Sequence, residues 1–233
     1  MPVPFEELEK AIGITFKDRE LLKQVFTHRS YLNEAGDRTL VHNERLEFLG
    51  DAVLELVVTD HLYKSFSNPE GELTNWRSAI VRGEVIGRVA GTLKLGSYLL
   101  MSKGEEKSGG RERTLILANT FEALIGATYL DQGYQTASDF IHKHLVVLLP
   151  EIIEKKLYID AKSRLQELCQ EVMGATPDYK VIGEAGPDHD KTFTVSVRAG
   201  KRQIAEGTGA SKQKAEQDAA ANAIEHWEDI ISS

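Results

Sequence analysis

The hydrophobic pattern changes period once along the chain, and that change restricts the fold to two kinds of packing joined in series. Before Pro150, apolar residues recur at helical spacing, as in Leu21, Leu22, Val25 and Phe26, and again in Ile80, Val81, Val85, Ile86, Val89 and Ala90. Polar breaks fall at 33–37, 67–71 and 103–113, and strand signals are scarce. After a charged helical tail at 151–156, residues 163–174 read as an amphipathic helix with Leu165, Leu168, Cys169 and Val172 on one face. Strand-like runs follow at 179–184, 192–199 and 202–209. In the middle run, Phe193, Val195 and Val197 alternate with Thr194, Ser196 and Arg198, the period of a half-buried strand. An Ala-rich helix over 211–227 offers Ala215, Ala219, Ala220, Ala223, Ile224 and Trp227 for packing. The expectation is an all-α domain over 1–155, a linker at 156–161 and a small α+β domain of order α-β-β-β-α over 162–233.

Composition narrows the class. With 41% hydrophobic and 27% charged residues, the 233-residue chain has the make-up of a folded globular protein. No window offers the roughly 20 apolar residues of a membrane helix, and the start shows no secretory signal, so no membrane partner is expected. The single cysteine, Cys169, excludes an internal disulfide and a cysteine-rich zinc site, and a reducing cytoplasm is the expected compartment. Cys169 itself reads as a packing residue. The formal charge of −8 argues weakly against bulk electrostatic coating of nucleic acid, but it is compatible with carboxylates gathered at a metal site.

Chemistry concentrates in residues 43–55, NERLEFLGDAVLE. On a helix Glu44, Glu47 and Asp51 stand at i, i+3 and i+7 and share a face. Nine of the thirteen residues from Leu46 to Val58 are apolar, so the helix is expected to be largely buried. Carboxylates crowded there repel one another and lose hydration unless a cation compensates. Magnesium, a hard ion that takes oxygen ligands, is a suitable cation. On a second apolar helix Asn119 and Glu122 lie i, i+3, and facing the first pair they would complete an oxygen-rich cage. The seven histidines show no zinc-like spacing, and His28 and His42 are read as structural donors near the site.

These residues carry a resemblance. Residues 43–54, NERLEFLGDAVL, are similar to the signature of the bacterial ribonuclease III family, and Thr27-His28-Arg29-Ser30-Tyr31 resembles the family's next most characteristic segment. Glu70-Gly71-Glu72-Leu73 and Ser108-Gly109-Gly110-Arg111 follow in the expected order. The C-terminal part resembles a double-stranded RNA-binding domain, opened by Arg164-Leu165-Gln166-Glu167 and closed by a helix beginning Gly209-Ala210-Ser211-Lys212-Gln213-Lys214. The resemblance implies a homodimeric endoribonuclease that cleaves double-stranded RNA, including rRNA precursors and some mRNAs, to 5′-phosphate and 3′-hydroxyl ends. It implies Mg²⁺ as cofactor, with Mn²⁺ able to substitute, and no small-molecule cofactor. Carried over by position, Asp51 and Glu122 are catalytic, Glu47, Asn119 and Glu122 are metal ligands, and Glu44 is a supporting acid. Gln166, Glu167, His189, Ser211, Lys212 and Lys214 would contact RNA. Phe48 and Leu49 suit a subunit contact.

Two departures stand out. Where the family usually has an aspartate, this chain has Asn119, whose amide offers a carbonyl oxygen but no negative charge. A natural variant that still coordinates magnesium, an engineered trap and a loss of activity are the three readings. The intact Glu44, Glu47, Asp51 and Glu122 disfavour the last. Residues 160–233 hold nine basic against thirteen acidic residues, although 198–214 carries five basic and one acidic, a local basic strip. A non-catalytic RNA-binding protein that keeps the fold is the competing expectation.

Overall fold

The computed structural model describes residues 5–36, 39–187 and 191–232. Its contacts divide the chain into two compact units, Met1–Tyr158 and Ile159–Ser233.

The first unit is helical: α1 (Phe5–Ile12), α2 (Arg19–Val25), α3 (Glu44–Ser65), α4 (Glu70–Ile80), α5 (Gly83–Thr92), α6 (Lys103–Lys107), α7 (Thr114–Gln132), α8 (Tyr134–His144) and α9 (Leu149–Glu154). Local chemistry sets several starts. Asp18 accepts the backbone N–H groups of Glu20 and Leu21 at the head of α2, and Ser102 accepts that of Glu105 at the head of α6. The helical pattern expected to run through 80–90 is interrupted, because α4 ends at Ile80 and Arg82 is extended before α5. The polar break at 103–113 itself contains α6 and a short 3-10 helix, Gly110–Glu112. One isolated parallel bridge, Thr27 to Leu100, stitches two loops together.

The core centres on α7, in which Phe121, Ala123, Leu124, Ile125 and Ala127 are fully buried. Opposite lies α3, burying Leu46, Val53, Leu54, Val57, Val58 and Leu62. The two helices nearly touch. A Cβ added to Gly50 would fall on the carbonyl of Glu122, and one added to Gly126 would fall on the carbonyl of Leu46. Only glycine permits that approach, and burial of the flanking aliphatic side chains drives it. The expectation that α3 is largely buried is corrected: Phe48 is 81%, Leu56 56% and Tyr63 79% exposed. Apolar residues are spread round this 22-residue helix rather than gathered on one face, and α7 covers one side of it.

In the second unit, α10 (Ala161–Met173) precedes an antiparallel sheet of β1 (Pro177–Ala185), β2 (Thr192–Ala199) and β3 (Arg202–Gly209) in that order. Helices α11 (Lys212–Glu225) and α12 (Trp227–Ser232) follow. Asp160 caps α10, so the helix starts before Ser163. Leu165 and Cys169 pack against Val195, Val197 and the alanine face of α11. Three details depart from the sequence reading. Val172 is exposed, Ser196 is buried with its hydroxyl unpartnered, and the last helix breaks at His226 rather than running to Trp227. Ser196 lies between Lys180 and Glu206 on the flanking strands, whose long side chains can cover a small one.

Candidate active site and RNA-binding face

The acidic cluster is made by the close crossing of α3 and α7. Gly50 lies between Glu47 and Asp51 on α3, and on α7 Gly126 lies one turn beyond Glu122. The same approach that fits the glycines therefore brings Glu47 and Asp51 toward Asn119 and Glu122. Electrostatics record the convergence. Burial, followed by the charges of Asp51 and Glu47, pushes the Glu122 carboxyl up to about 7. The Glu47 carboxyl is raised by burial, then by Glu44 and Asp51, while a hydrogen bond from the Asn119 amide works against these. The Asn119 amide can donate to the Glu47 carboxylate, a role an aspartate could not fill when ionised. Glu122 and Glu47 are half-buried, whereas Asp51 and Glu44 face solvent, so only part of the cluster is withdrawn from water.

These groups fit a hard divalent ion. All are oxygen donors, and each of the two half-buried carboxyls is destabilised as an anion by its neighbours, which a bound cation would relieve. Among the described residues no three His, Cys, Asp or Glu side chains form a ready-made metal-holding group. Water and substrate oxygens would complete the shell, as magnesium sites commonly require.

The entrance to α3 is fixed from outside the cluster. Asn43, buried at the head of the helix, donates its side-chain amide to the carbonyl of Val25 at 3.0 Å, and its backbone N–H reaches the carbonyl of Thr27 at 3.0 Å. His28 and His42 serve as acceptors rather than the expected donors. The His28 Nδ1 takes the backbone N–H of Ser30 at 3.3 Å, and the His42 Nδ1 takes that of Glu44 at 3.4 Å. Burial holds the His28 imidazole below its usual pKa, which suits an acceptor. Arg29 stands 3.2 Å from the Glu44 carboxylate. Asn43, Arg29, Gly50 and Gly126 escaped the sequence reading. Asn43 and Arg29 lie inside the two recognised segments, but nothing in a spacing argument gives a glycine a role in a carboxylate site.

In the second unit Gln166 and Glu167 are exposed on α10, opposite the buried Leu165 and Cys169. Ser211 caps α11, its hydroxyl accepting the Lys214 N–H at 3.2 Å, so it shapes the helix start. Lys212 and Lys214 are exposed there, and the Lys212 ammonium stands 5.8 Å from the centre of the Phe193 ring. His189 lies outside the described residues. The expected basic strip is divided. Phe193 pairs with Gly209 beside the lysines, whereas Ala199 pairs with Arg202 at the other end of the β2–β3 hairpin. A strand of that length separates Arg198, Lys201 and Arg202 from Lys212 by about 20 Å.

Comparison with known proteins agrees with this architecture. Residues 18–149 match the family model "Ribonuclease-III-like", and residues 161–226 match "Double-stranded RNA binding motif". A Ribonuclease 3 of Pelotomaculum thermopropionicum is 46% identical over 93% of this chain and 90% of its own length. That of Desulforamulus reducens is 45% identical over 97% of this chain and 92% of its own. Among solved structures, a nuclease domain of ribonuclease III from Campylobacter jejuni is 38% identical. It covers 65% of this chain and 96% of that one at a TM-score of 0.56. A second structure of that domain, described by its flexibility in a region involved in dimer formation, is 40% identical at a TM-score of 0.55, covering 60% of this chain and 97% of its own. Among the described residues no helix is long and apolar enough to cross a membrane. Matched across both units and nearly end to end with its relatives, the chain belongs to the ribonuclease III family of endoribonucleases.

Proposed function

We propose that this protein is a cytoplasmic endoribonuclease that hydrolyses double-stranded RNA with Mg²⁺, or Mn²⁺ in its place, leaving 5′-phosphate and 3′-hydroxyl ends. Precursors of rRNA and some mRNAs are the proposed substrates. The observation that carries the reading is the α3–α7 crossing, where burial, and then the neighbouring charges of Asp51 and Glu47, lift the Glu122 carboxyl to about 7. Phosphodiester hydrolysis needs an activated water and a means of neutralising charge on the attacking and leaving oxygens, which a bound divalent metal supplies. Glu47, Asn119 and Glu122 would hold the ion, and Glu44 would support them from the first turn of α3. Asp51 and Glu122 form the catalytic pair. Solvent-facing Asp51 can orient water, and the Glu122 carboxylate, whose charge a bound cation would stabilise, would fix the ion beside it.

The second unit supplies the preference for duplex. A-form RNA exposes 2′-hydroxyls across a shallow minor groove, which suits the exposed Gln166 and Glu167 and, by family position, His189. Ser211, Lys212 and Lys214 at the head of α11 suit phosphates, since a helix N-terminus favours anions. Cleavage of both strands calls for two sites, and a homodimer provides them. Phe48, exposed beside an apolar recess of about 760 Å³ that includes Leu21, Val41, Leu49 and Leu130, supports that assembly.

The test is a gel assay of a long RNA duplex across a Mg²⁺ titration, with single-stranded RNA and double-stranded DNA as controls. The expected result is duplex-only, Mg²⁺-dependent cleavage. Asn119→Asp is expected to lower the Mg²⁺ concentration for half-maximal rate. An unchanged requirement would remove Asn119 from the metal site, and no cleavage by either protein would overturn the catalytic reading.

A further inference from the structure

We propose that Arg29 is a substrate-binding residue: its guanidinium exchanges the ion pair with Glu44 for a phosphate of the RNA backbone lying against the acidic cluster. The inference rests on the nuclease reading above and adds to it a cation that belongs to the protein itself.

The backbone around Arg29 is held on several sides. His28 donates its N–H to the Leu100 carbonyl at 2.9 Å, and Leu100 donates to Phe26 at 2.7 Å. Asn43 donates to Thr27 at 3.0 Å, tying the same segment to the start of α3. The Ser102 N–H reaches the Ser30 hydroxyl at 3.0 Å, so the residue after Arg29 is anchored as well. The side chain, in contrast, is 72% exposed, and its ion-pair partner is Glu44 at 3.2 Å. A solvent-exposed pair of this kind contributes little to stability, so exchanging it costs little.

Two other arginines of this unit, Arg111 and Arg113, are committed elsewhere. The Arg113 guanidinium donates to Glu105 at 2.6 Å and to the Ser108 hydroxyl at 3.1 Å. Arg111 donates to Glu106 at 2.8 Å and to the carbonyls of Gly96 and Leu99 at 2.9 and 2.8 Å. Arg29 has a rigid base and a weakly held head at the edge of the cluster. A polyanion approaching Glu44, Glu47, Asp51 and Glu122 meets repulsion, and a planar guanidinium matches a phosphate through two parallel hydrogen bonds. An arginine whose purpose were only to brace Glu44 would gain from being shielded from water, and this one is not.

The experiment compares steady-state cleavage of a short RNA duplex by the full chain, Arg29→Ala and Arg29→Lys across a KCl series. Arg29→Ala is expected to raise KM about 3- to 10-fold with kcat little changed. It should also flatten the dependence of log(kcat/KM) on log[KCl] by about one unit, the signature of one lost phosphate contact. Arg29→Lys should recover the slope and part of KM. An unchanged slope accompanied by a shifted Mg²⁺ requirement would overturn the proposal and make Arg29 a brace for Glu44. Circular dichroism and melting of each variant identify a folding defect, and Arg29→Lys then carries the comparison. Duplex binding in EDTA, read by fluorescence anisotropy, gives the same salt comparison without cleavage. An inactive wild type with an Arg29-dependent salt slope would therefore count against the nuclease reading alone.

Discussion

The acidic crossing of α3 and α7 and the lysine-bearing start of α11 are both assembled from helices, yet in opposite ways. The first uses helix interiors pressed together, which withdraws Glu47 and Glu122 partly from water and raises both carboxyls. The second uses a helix end, where Ser211 closes the first turn and leaves Lys212 and Lys214 in solvent. A site that does chemistry needs groups whose proton and metal affinities differ from those in water. A site that holds a backbone of phosphates needs exposed charge and free backbone N–H groups. The contrast predicts that changes at the crossing act on turnover and on pH and metal behaviour, whereas changes at α11 act on affinity and salt dependence.

The sharpest way to break that contrast is Glu122→Gln. Cleavage is expected to fall by roughly 10²- to 10⁴-fold, measured by single-turnover kinetics, with duplex affinity retained. Stability should move the other way. Because the folded carboxyl titrates near 7 and the unfolded one near 4.5, the metal-free protein binds more protons folded than unfolded across that window. Its stability therefore declines as pH rises from about 4.5 to about 7 and is level above. Glu122→Gln should remove this component of the pH dependence in thermal melts, and a melt as steep in pH as that of wild type would show that Glu122 is not the group responsible.

Gly126→Ala should come next. Its methyl has nowhere to go except into the Leu46 carbonyl, so the helices must separate, at a cost of about 1–3 kcal/mol in stability. A shift of about 1 Å in the catalytic groups can cost on the order of 100-fold in rate. Loss of stability without loss of rate would mean that the crossing serves packing alone. The smallest effect belongs to Lys212→Ala with Lys214→Ala. Affinity for duplex should drop about tenfold at moderate salt and the salt slope by about two units, with kcat unaffected at saturating RNA. A change in kcat would deny the separation of roles between the two regions.

Much of this was legible beforehand because both units advertise themselves by period. The i, i+3, i+7 spacing placed Glu44, Glu47 and Asp51 together, and the alternation from Phe193 to Val197 placed β2. Spacing along one helix says nothing about how near another helix can come, so the part played by Gly50 and Gly126 required the three-dimensional crossing. Nor does composition reveal which apolar side chains remain uncovered. The nine apolar residues of 46–58 suggested burial, but Phe48 and Leu56 are left exposed to solvent. The basic residues of 198–214 looked like one strip because sequence proximity conceals a hairpin that carries them to opposite ends of a strand.

The glycine contacts between α3 and α7 also limit how the site can change. Where helices meet through side chains, their spacing can be adjusted by exchanging one aliphatic residue for another. Here backbone meets backbone, so that adjustment is absent and the separation of the carboxylates is set by the main chain. If the crossing holds the proposed ion, its metal preference and working pH would then be varied chiefly by changing the donor groups themselves. Asn119, proposed as one of those donors, lies on α7 away from the two glycine contacts, so a change there need not alter the helix spacing.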